Sequence, residues 1–325
     1  MDKTKSWTTF KIIGVAFLAV ILLTAAAMLA GFLDYQKIKN VAGIFFIEST
    51  SPKYLLEKMR LAERQDDKVR VLIVPGHEPN YGGAEYRKIK EREVNLEIAN
   101  KIFDLLSEDY RFKVYRTRDN NGWSIFLKDY FDNNMDKISL WKYENLRIMK
   151  RLMSSGKISS AENPVYHNNA AMSVADRLYG INKWANENKI DIVLHVHIND
   201  VPRKNVSKPG SFSGIAIYIP EKQYSNSRAS KWVANYVLQA LGEDFPTSNL
   251  PQEQIGVIED QDLIAIGRYN TLDPVSMLVE YGYIYEPSFN DPSIKQEKID
   301  QMAKDTVNGI INALTETSTK ELGVK

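Results

Sequence analysis

The longest apolar run is Ile12 to Leu33, which carries no charged residue. At about 1.5 Å rise per residue it extends about 33 Å as a helix, enough for a bilayer core of about 30 Å. Lys3, Lys5 and Lys11 precede it. A positive flank keeps that end of a chain in the cytoplasm and sends the rest across. The expectation is a cytoplasmic tail at 1–11 and a single transmembrane anchor at 12–33. The alternative is a cleaved signal peptide, for which Ala25–Ala27 offer small residues. Residues 34–68 hold a short apolar patch, Ile44–Ile47, then a charged, helix-like stretch from Lys53 to Lys68. They read as a stem.

From residue 69 onward, short β-branched runs alternate with amphipathic stretches. Val69–Val74 is a buried strand closed by Pro75 and Gly76. Val94, Ile98, Ile102 and Leu105 fall at helical spacing within 91–107. Strands are expected at 112–115, 191–197, 214–219 and 275–280, and helices at 174–188, 227–241 and 294–315. This alternation predicts an α/β domain, a single three-layer unit over 69–318 with a mostly parallel twisted sheet flanked by helices. Residues 120–170 fit no strand pattern. Their aromatics (Trp123, Phe126, Tyr130, Phe131, Trp141, Tyr143) and many charges suggest an inserted, partly helical subdomain.

Composition changes the picture in three places. Hydrophobic residues at 44% and charged residues at 26% exclude a mostly disordered chain. A net charge of +1 gives no electrostatic case for nucleic acid as partner. The absence of cysteine removes disulfides, thiolate–zinc sites and cysteine nucleophiles, and only His77, His167, His195 and His197 remain for histidine chemistry.

In parallel sheets the functional groups gather at the carboxyl ends of strands. His77 follows the first strand, His195 and His197 close the strand at 191–197, and Glu280 ends the strand at 275–280. Glu91 and Glu93 open the helix after the His77 loop. A carboxylate in a first helical turn also serves the helix dipole, so Glu91 is ligand or cap on this reading. Two histidines and a carboxylate form a known catalytic zinc set with water in the fourth position.

Four segments carry a resemblance. Val71–His77 with the later Gly82-Gly83-Ala84, Glu91–Ala99, Ala185–Asn199 and Met277–Ile284 occur in order, with Thr117-Arg118 closing a further strand. Together they resemble the zinc-dependent N-acetylmuramoyl-L-alanine amidases, a peptidoglycan-cleaving family. The resemblance implies that His77, Glu91 and His197 hold Zn²⁺ and that Glu280 is the catalytic acid and base. Arg268 corresponds to a late arginine and is a candidate for binding a substrate carboxylate or oxyanion, or else a surface arginine. The implied reaction is hydrolysis of the amide between N-acetylmuramic acid and L-alanine of the stem peptide. Glu78, Tyr81, Ile181 and His195 depart from the family pattern, with Arg177 one turn before Ile181, and they bear on the shape of the groove. His195 is open between packing, supporting a ligand and touching substrate.

The expected protein is a membrane-anchored peptidoglycan hydrolase whose catalytic domain faces the periplasm or wall space. The competing readings are a zinc peptidase on other peptides and a peptidoglycan-binding protein that does not cut. The inserted segment is read as a lid, an autoinhibitory element or a docking place for a protein activator. In the autoinhibitory version His167 or Glu162 supplies a fourth metal ligand, and deleting 122–168 raises activity.

Overall fold

The computed structural model of the protein describes residues 48–159 and 170–315. The expected anchor at 12–33, residues 34–47 of the expected stem, and both Glu162 and His167 lie outside these residues. Among the described residues no helix is long and apolar enough to cross a membrane.

The domain begins with α1 (Pro52–Glu63), capped by the Ser51 side chain, which accepts a hydrogen bond from the Tyr54 backbone N–H. Strand β1 (Val69–Pro75) follows, then a small hairpin, β2 (Glu85–Tyr86) and β3 (Ile89–Lys90). Helix α2 (Glu91–Glu108) leads to β4 (Phe112–Arg116). A second hairpin, β5 (Arg118–Asp119) and β6 (Gly122–Trp123), precedes the long α3 (Ile125–Ser154). Then come α4 (Met172–Glu187), β7 (Ile192–Asn199), β8 (Ala216–Pro220), α5 (Ser227–Leu241) and β9 (Val257–Asp260). A 3₁₀ turn at Arg268–Asn270, β10 (Val275–Tyr283), α6 (Pro287–Asn290) and α7 (Pro292–Thr315) complete it.

The main sheet has the order β4-β1-β7-β10-β8-β9. Strands β4, β1, β7 and β10 run parallel, whereas β8 runs antiparallel to β10 and pairs in parallel with β9. The expected three-layer α/β architecture with a mostly parallel sheet is what the described residues form. Alternate residues of β7 feed two cores. Ile192, Leu194, Val196 and Ile198 face a core shared with α1, α2, α5 and α7, while Val193 faces one shared with α3 and α4.

Three expectations need correction. The stretch from Lys53, expected as the end of a stem at 34–68, packs as part of the domain. Leu55, Met59 and Ala62 are fully buried in the main core, and the Tyr54 hydroxyl donates to Asp191 at 2.8 Å. The segment 120–170, expected as an inserted, partly helical subdomain, does not stand apart over its described residues. Helix α3 sends Leu127, Phe131, Ile138 and Trp141 onto Leu72, Val74 and Val193 of the sheet, so it is one outer layer of the domain. In α2 the buried stripe continues through Leu106 rather than Leu105, which is exposed.

Candidate metal centre and substrate groove

The carboxyl ends of the three central strands meet at one place. Strand β1 ends at Pro75, and Gly76 and His77 follow at once. A Cβ at Gly76 would lie 2.5 Å from His197 Cε1 and 2.6 Å from Asn95 Nδ2, so only glycine lets β1 end against β7 here. His77 itself adopts φ +67°, a left-handed conformation uncommon outside glycine. Arg118 fixes this turn from beneath. Its Nη2 donates to the carbonyls of Gly76 at 2.7 Å and Arg92 at 2.8 Å, and its Nε donates to that of His77 at 3.1 Å.

Glu91 sits at the first position of α2. Its Oε2 accepts from the Ala84 backbone N–H at 2.8 Å, and its Oε1 accepts from Asn95 Nδ2 at 3.2 Å. Gly83, at φ +86°, packs against both ligand candidates: a Cβ there would lie 2.9 Å from His77 Cδ2 and 3.1 Å from Glu91 Cβ. His197 projects from β7, its Nδ1 at 3.1 Å from Glu91 Oε1. His77 Nε2 lies 2.7 Å from the same oxygen, as an ion-pair contact. His77, Glu91 and His197 are thus a set whose donor atoms lie within 4.8 Å of one another.

The electrostatics agree with ligand duty. Burial alone would raise the Glu91 carboxyl, but the adjacent His77 and hydrogen bonds with His197 and His77 outweigh it and hold the group well below the usual carboxylate range. Burial, with His77 and Arg118 nearby, pushes His197 down despite its bond to Glu91. An ionised carboxylate and a neutral imidazole are the forms that bind a metal.

Glu280, on β10, pairs in register with His197 on β7. Its carboxyl is raised well above the ordinary value, by burial first and then by the charges of Glu91 and Glu253. Glu280 Oε2 is buried and has no hydrogen-bond partner among the described residues. Glu253 is held by Tyr218 at 2.6 Å, Tyr283 at 2.8 Å and Asn199 at 2.8 Å. The pattern of residue types did not single it out, because its donors come from three separate strands.

His77, Glu91, His197 and Glu280 line one groove of about 810 Å³. Arg268 lines it too, stacked 4.7 Å over the Tyr269 ring and 3.2 Å from Asp262. It is neither a free surface arginine nor in contact with the His–Glu–His set. One departure from the family pattern, Glu78, meets the arginine one turn before Ile181, for Arg177 Nε donates to Glu78 Oε1 at 2.6 Å across the groove. Tyr81 stands exposed on the rim, and Ile181 lies in the wall. His195 is buried in the floor at 1% exposure.

A mostly parallel α/β sheet carries at its carboxyl edge a His–Glu–His set able to hold a metal ion, with a buried carboxyl beside it. The chain belongs to the N-acetylmuramoyl-L-alanine amidases, whose family profile matches residues 71–312. It is accordingly an amidase that acts on peptidoglycan, as the resemblance implied. No curated protein sequence matches the chain. Solved structures similar to it include an N-acetylmuramoyl-L-alanine amidase from Clostridium difficile 630, at 19% identity over 77% of this chain and 99% of that one, with a TM-score of 0.45. An amidase from Mycobacterium smegmatis is 14% identical over 76% of this chain and 99% of that one, TM-score 0.48. One from Nostoc punctiforme is 18% identical over 76% of this chain and 98% of that one, TM-score 0.44.

Proposed function

We propose that the protein is a zinc-dependent, membrane-anchored N-acetylmuramoyl-L-alanine amidase in which His77, Glu91 and His197 hold the metal. The observation that carries this reading is the convergence of those three side chains on one point, with Glu280 beside them in the same groove. One carboxylate and two imidazoles suit zinc and leave a ligand position open. When bound, zinc acidifies a water toward neutral pH and polarises the scissile carbonyl.

The chain's own residues then divide the work. Glu91, held ionised, balances part of the metal's charge. Glu280 Oε2 takes a proton from the attacking water as its oxygen bonds to the lactyl carbonyl carbon. The buried site raises the proton affinity of Glu280, which suits it to hold that proton. The proton passes to the nitrogen of L-alanine as the C–N bond breaks, and the remaining hydroxyl proton follows it, giving a free lactyl carboxylate and a free ammonium. Arg268, with its planar donors, is placed to bind a carboxylate or oxyanion of the substrate. The catalytic unit is residues 48–315, since α1 belongs to the core.

The segment 12–33 is proposed as the anchor, with the domain on the outer face of the cytoplasmic membrane. Removing residues 1–47 is expected to move the protein from the membrane to the soluble fraction. A protein still sedimenting with membranes would place the anchor elsewhere.

The metal assignment is tested by elemental analysis. The wild-type protein should hold one zinc per chain, and His77→Ala or His197→Ala should hold little. Glu280→Gln should keep the zinc and lose turnover by about 100-fold or more, the scale of general acid–base catalysis. A Glu280→Gln protein with near-normal turnover would contradict the proposed role. Chelation should abolish activity and zinc should restore it.

A further inference from the structure

One buried carboxylate that the chemistry above leaves unused ties three strands together. Glu253 lies between α5 and β9 and is 1% exposed. Its Oε1 accepts from the Tyr218 hydroxyl of β8 at 2.6 Å and from Asn199 Nδ2 of β7 at 2.8 Å. Its Oε2 accepts from the Tyr283 hydroxyl of β10 at 2.8 Å. That hydroxyl also lies 3.0 Å from Ser248 Oγ, which accepts from the Leu250 backbone N–H at 3.2 Å. Glu253 does not line the groove.

The tie spans an irregularity in the sheet. Glu280 faces His197 in register and Tyr283 faces Asn199, so β10 takes three steps where β7 takes two. The extra residue makes a β-bulge, with Gly282 inside it at φ +132°. Bulges are rare between parallel strands, disrupt the ladder locally and re-aim side chains next to active sites. Here the Tyr283 backbone N–H donates to Glu286 Oε1 at 2.9 Å. Glu280 is the last residue in register before the bulge. A slip of one residue turns a strand's side chains to the opposite face. The bulge must therefore stay beyond Glu280 for its carboxyl to reach the groove. The ladder is broken at that point and does not fix the place by itself. Glu253 grips Asn199 and Tyr283, the pair at which register resumes. It also grips Tyr218, which stands opposite Leu278, two residues before Glu280.

We propose that Glu253 is a positioning residue for Glu280: it holds the bulge in place and so aims that carboxyl at the metal centre. The inference rests on the amidase reading above and adds a supporting residue to it.

Kinetics of the full-length, zinc-loaded chain on muramyl-peptide fragments test it. Glu253→Ala should lower kcat about 10–100-fold, the scale of a misplacement of about 1 Å, with KM and zinc content little changed. Glu253→Gln keeps an acceptor for Tyr218 and Asn199 and should recover most of the loss. In Glu280→Gln protein, Glu253→Ala should reduce the residual turnover little further, because it acts through Glu280, whereas independent effects multiply. Three results would overturn the assignment: wild-type kcat in Glu253→Ala, a loss that multiplies that of Glu280→Gln, or Glu253→Gln as slow as Glu253→Ala.

If Glu253→Ala does not fold, Tyr283→Phe removes a single hydroxyl from the grip. It should lower kcat about threefold at unchanged KM, the worth of one hydrogen bond, and an unchanged kcat would count against the proposal. Crystal structures read the geometry without any turnover. Beside wild type, the Glu280 carboxyl of Glu253→Ala, or of Tyr283→Phe in its place, should be displaced, by about 1 Å in the first case. Coincident carboxyls would refute the positioning role. Failure of the wild-type protein to cut peptidoglycan would count against the amidase reading, and the structures would still decide whether Glu253 aims Glu280.

Discussion

Arg118 is buried beside the His77 turn, and its partners are backbone carbonyls at Gly76, His77 and Arg92. Those bonds hold His77 in its left-handed conformation and so aim the imidazole. Arg118→Ala should loosen that ligand and weaken zinc binding by about tenfold or more, the range seen when supporting contacts of metal ligands are removed. Arg118→Lys should not rescue it, because an ammonium lacks the planar fork that reaches several carbonyls. A competitive zinc titration reads both, and unchanged affinity in Arg118→Ala would refute the positioning role. The His77, Glu91 and His197 cluster was legible in the sequence, since these residues stand at strand ends and a helix start within recognisable motifs. The role of Arg118 was not, because carbonyl acceptors leave no mark on residue type. The contact between Glu78 and Arg177 was hidden for a different reason: the two are far apart in sequence until the fold brings the loop after β1 and α4 together.

At the level of elements, the strands and helices with plain periodicity were readable within a few residues, including α5 at 227–241 and the central strands. The errors fell where the pattern was mixed. In α1 the apolar residues Leu55, Met59 and Ala62 are spaced for a helix face, but the charges around them suggest a solvated stem. Burial in the main core makes that helix structural. Leu55→Ala should lower the unfolding free energy by about 2–5 kcal/mol, as other buried leucine truncations do. Urea denaturation of the soluble domain reads it, and a change near zero would restore the stem reading. In α3 a similar stripe (Leu127, Phe131, Ile138, Trp141, Asn145, Met149, Leu152) is buried, though aromatics and charges between its members obscured it. Deleting 122–168 therefore should yield an insoluble or unfolded protein, not a more active one, because it strips the layer over Leu72, Val74 and Val193. Folded, hyperactive protein from that deletion would return the segment to a removable autoinhibitory role. Strand β9 was not visible beforehand. It pairs with the sheet on only one side, and only Val257 and Ile258 of its four residues are apolar.

On the scale of the whole molecule, the topology explains why the site lies where it does. Parallel pairing of β1, β7 and β10 brings three carboxyl ends to one edge, and each contributes or leads into a functional side chain. The glycine-rich turn after β1 and the first turn of α2 close the centre from one side. Helix α4 and the 262–268 turn wall the groove from the other. The near-zero net charge leaves recognition to a few placed groups rather than to a broad field. An anchor at 12–33 would hold such a domain beside a wall polymer at high local concentration. The most direct test of the account is the identity of the bond that is cut. Zinc-loaded protein is incubated with intact peptidoglycan beside a Glu280→Gln control, and the released material is identified by mass spectrometry. The account predicts free stem peptides that begin at L-alanine, absent from the control. Peptides cut at another bond, or release that is equal in the control, would contradict it.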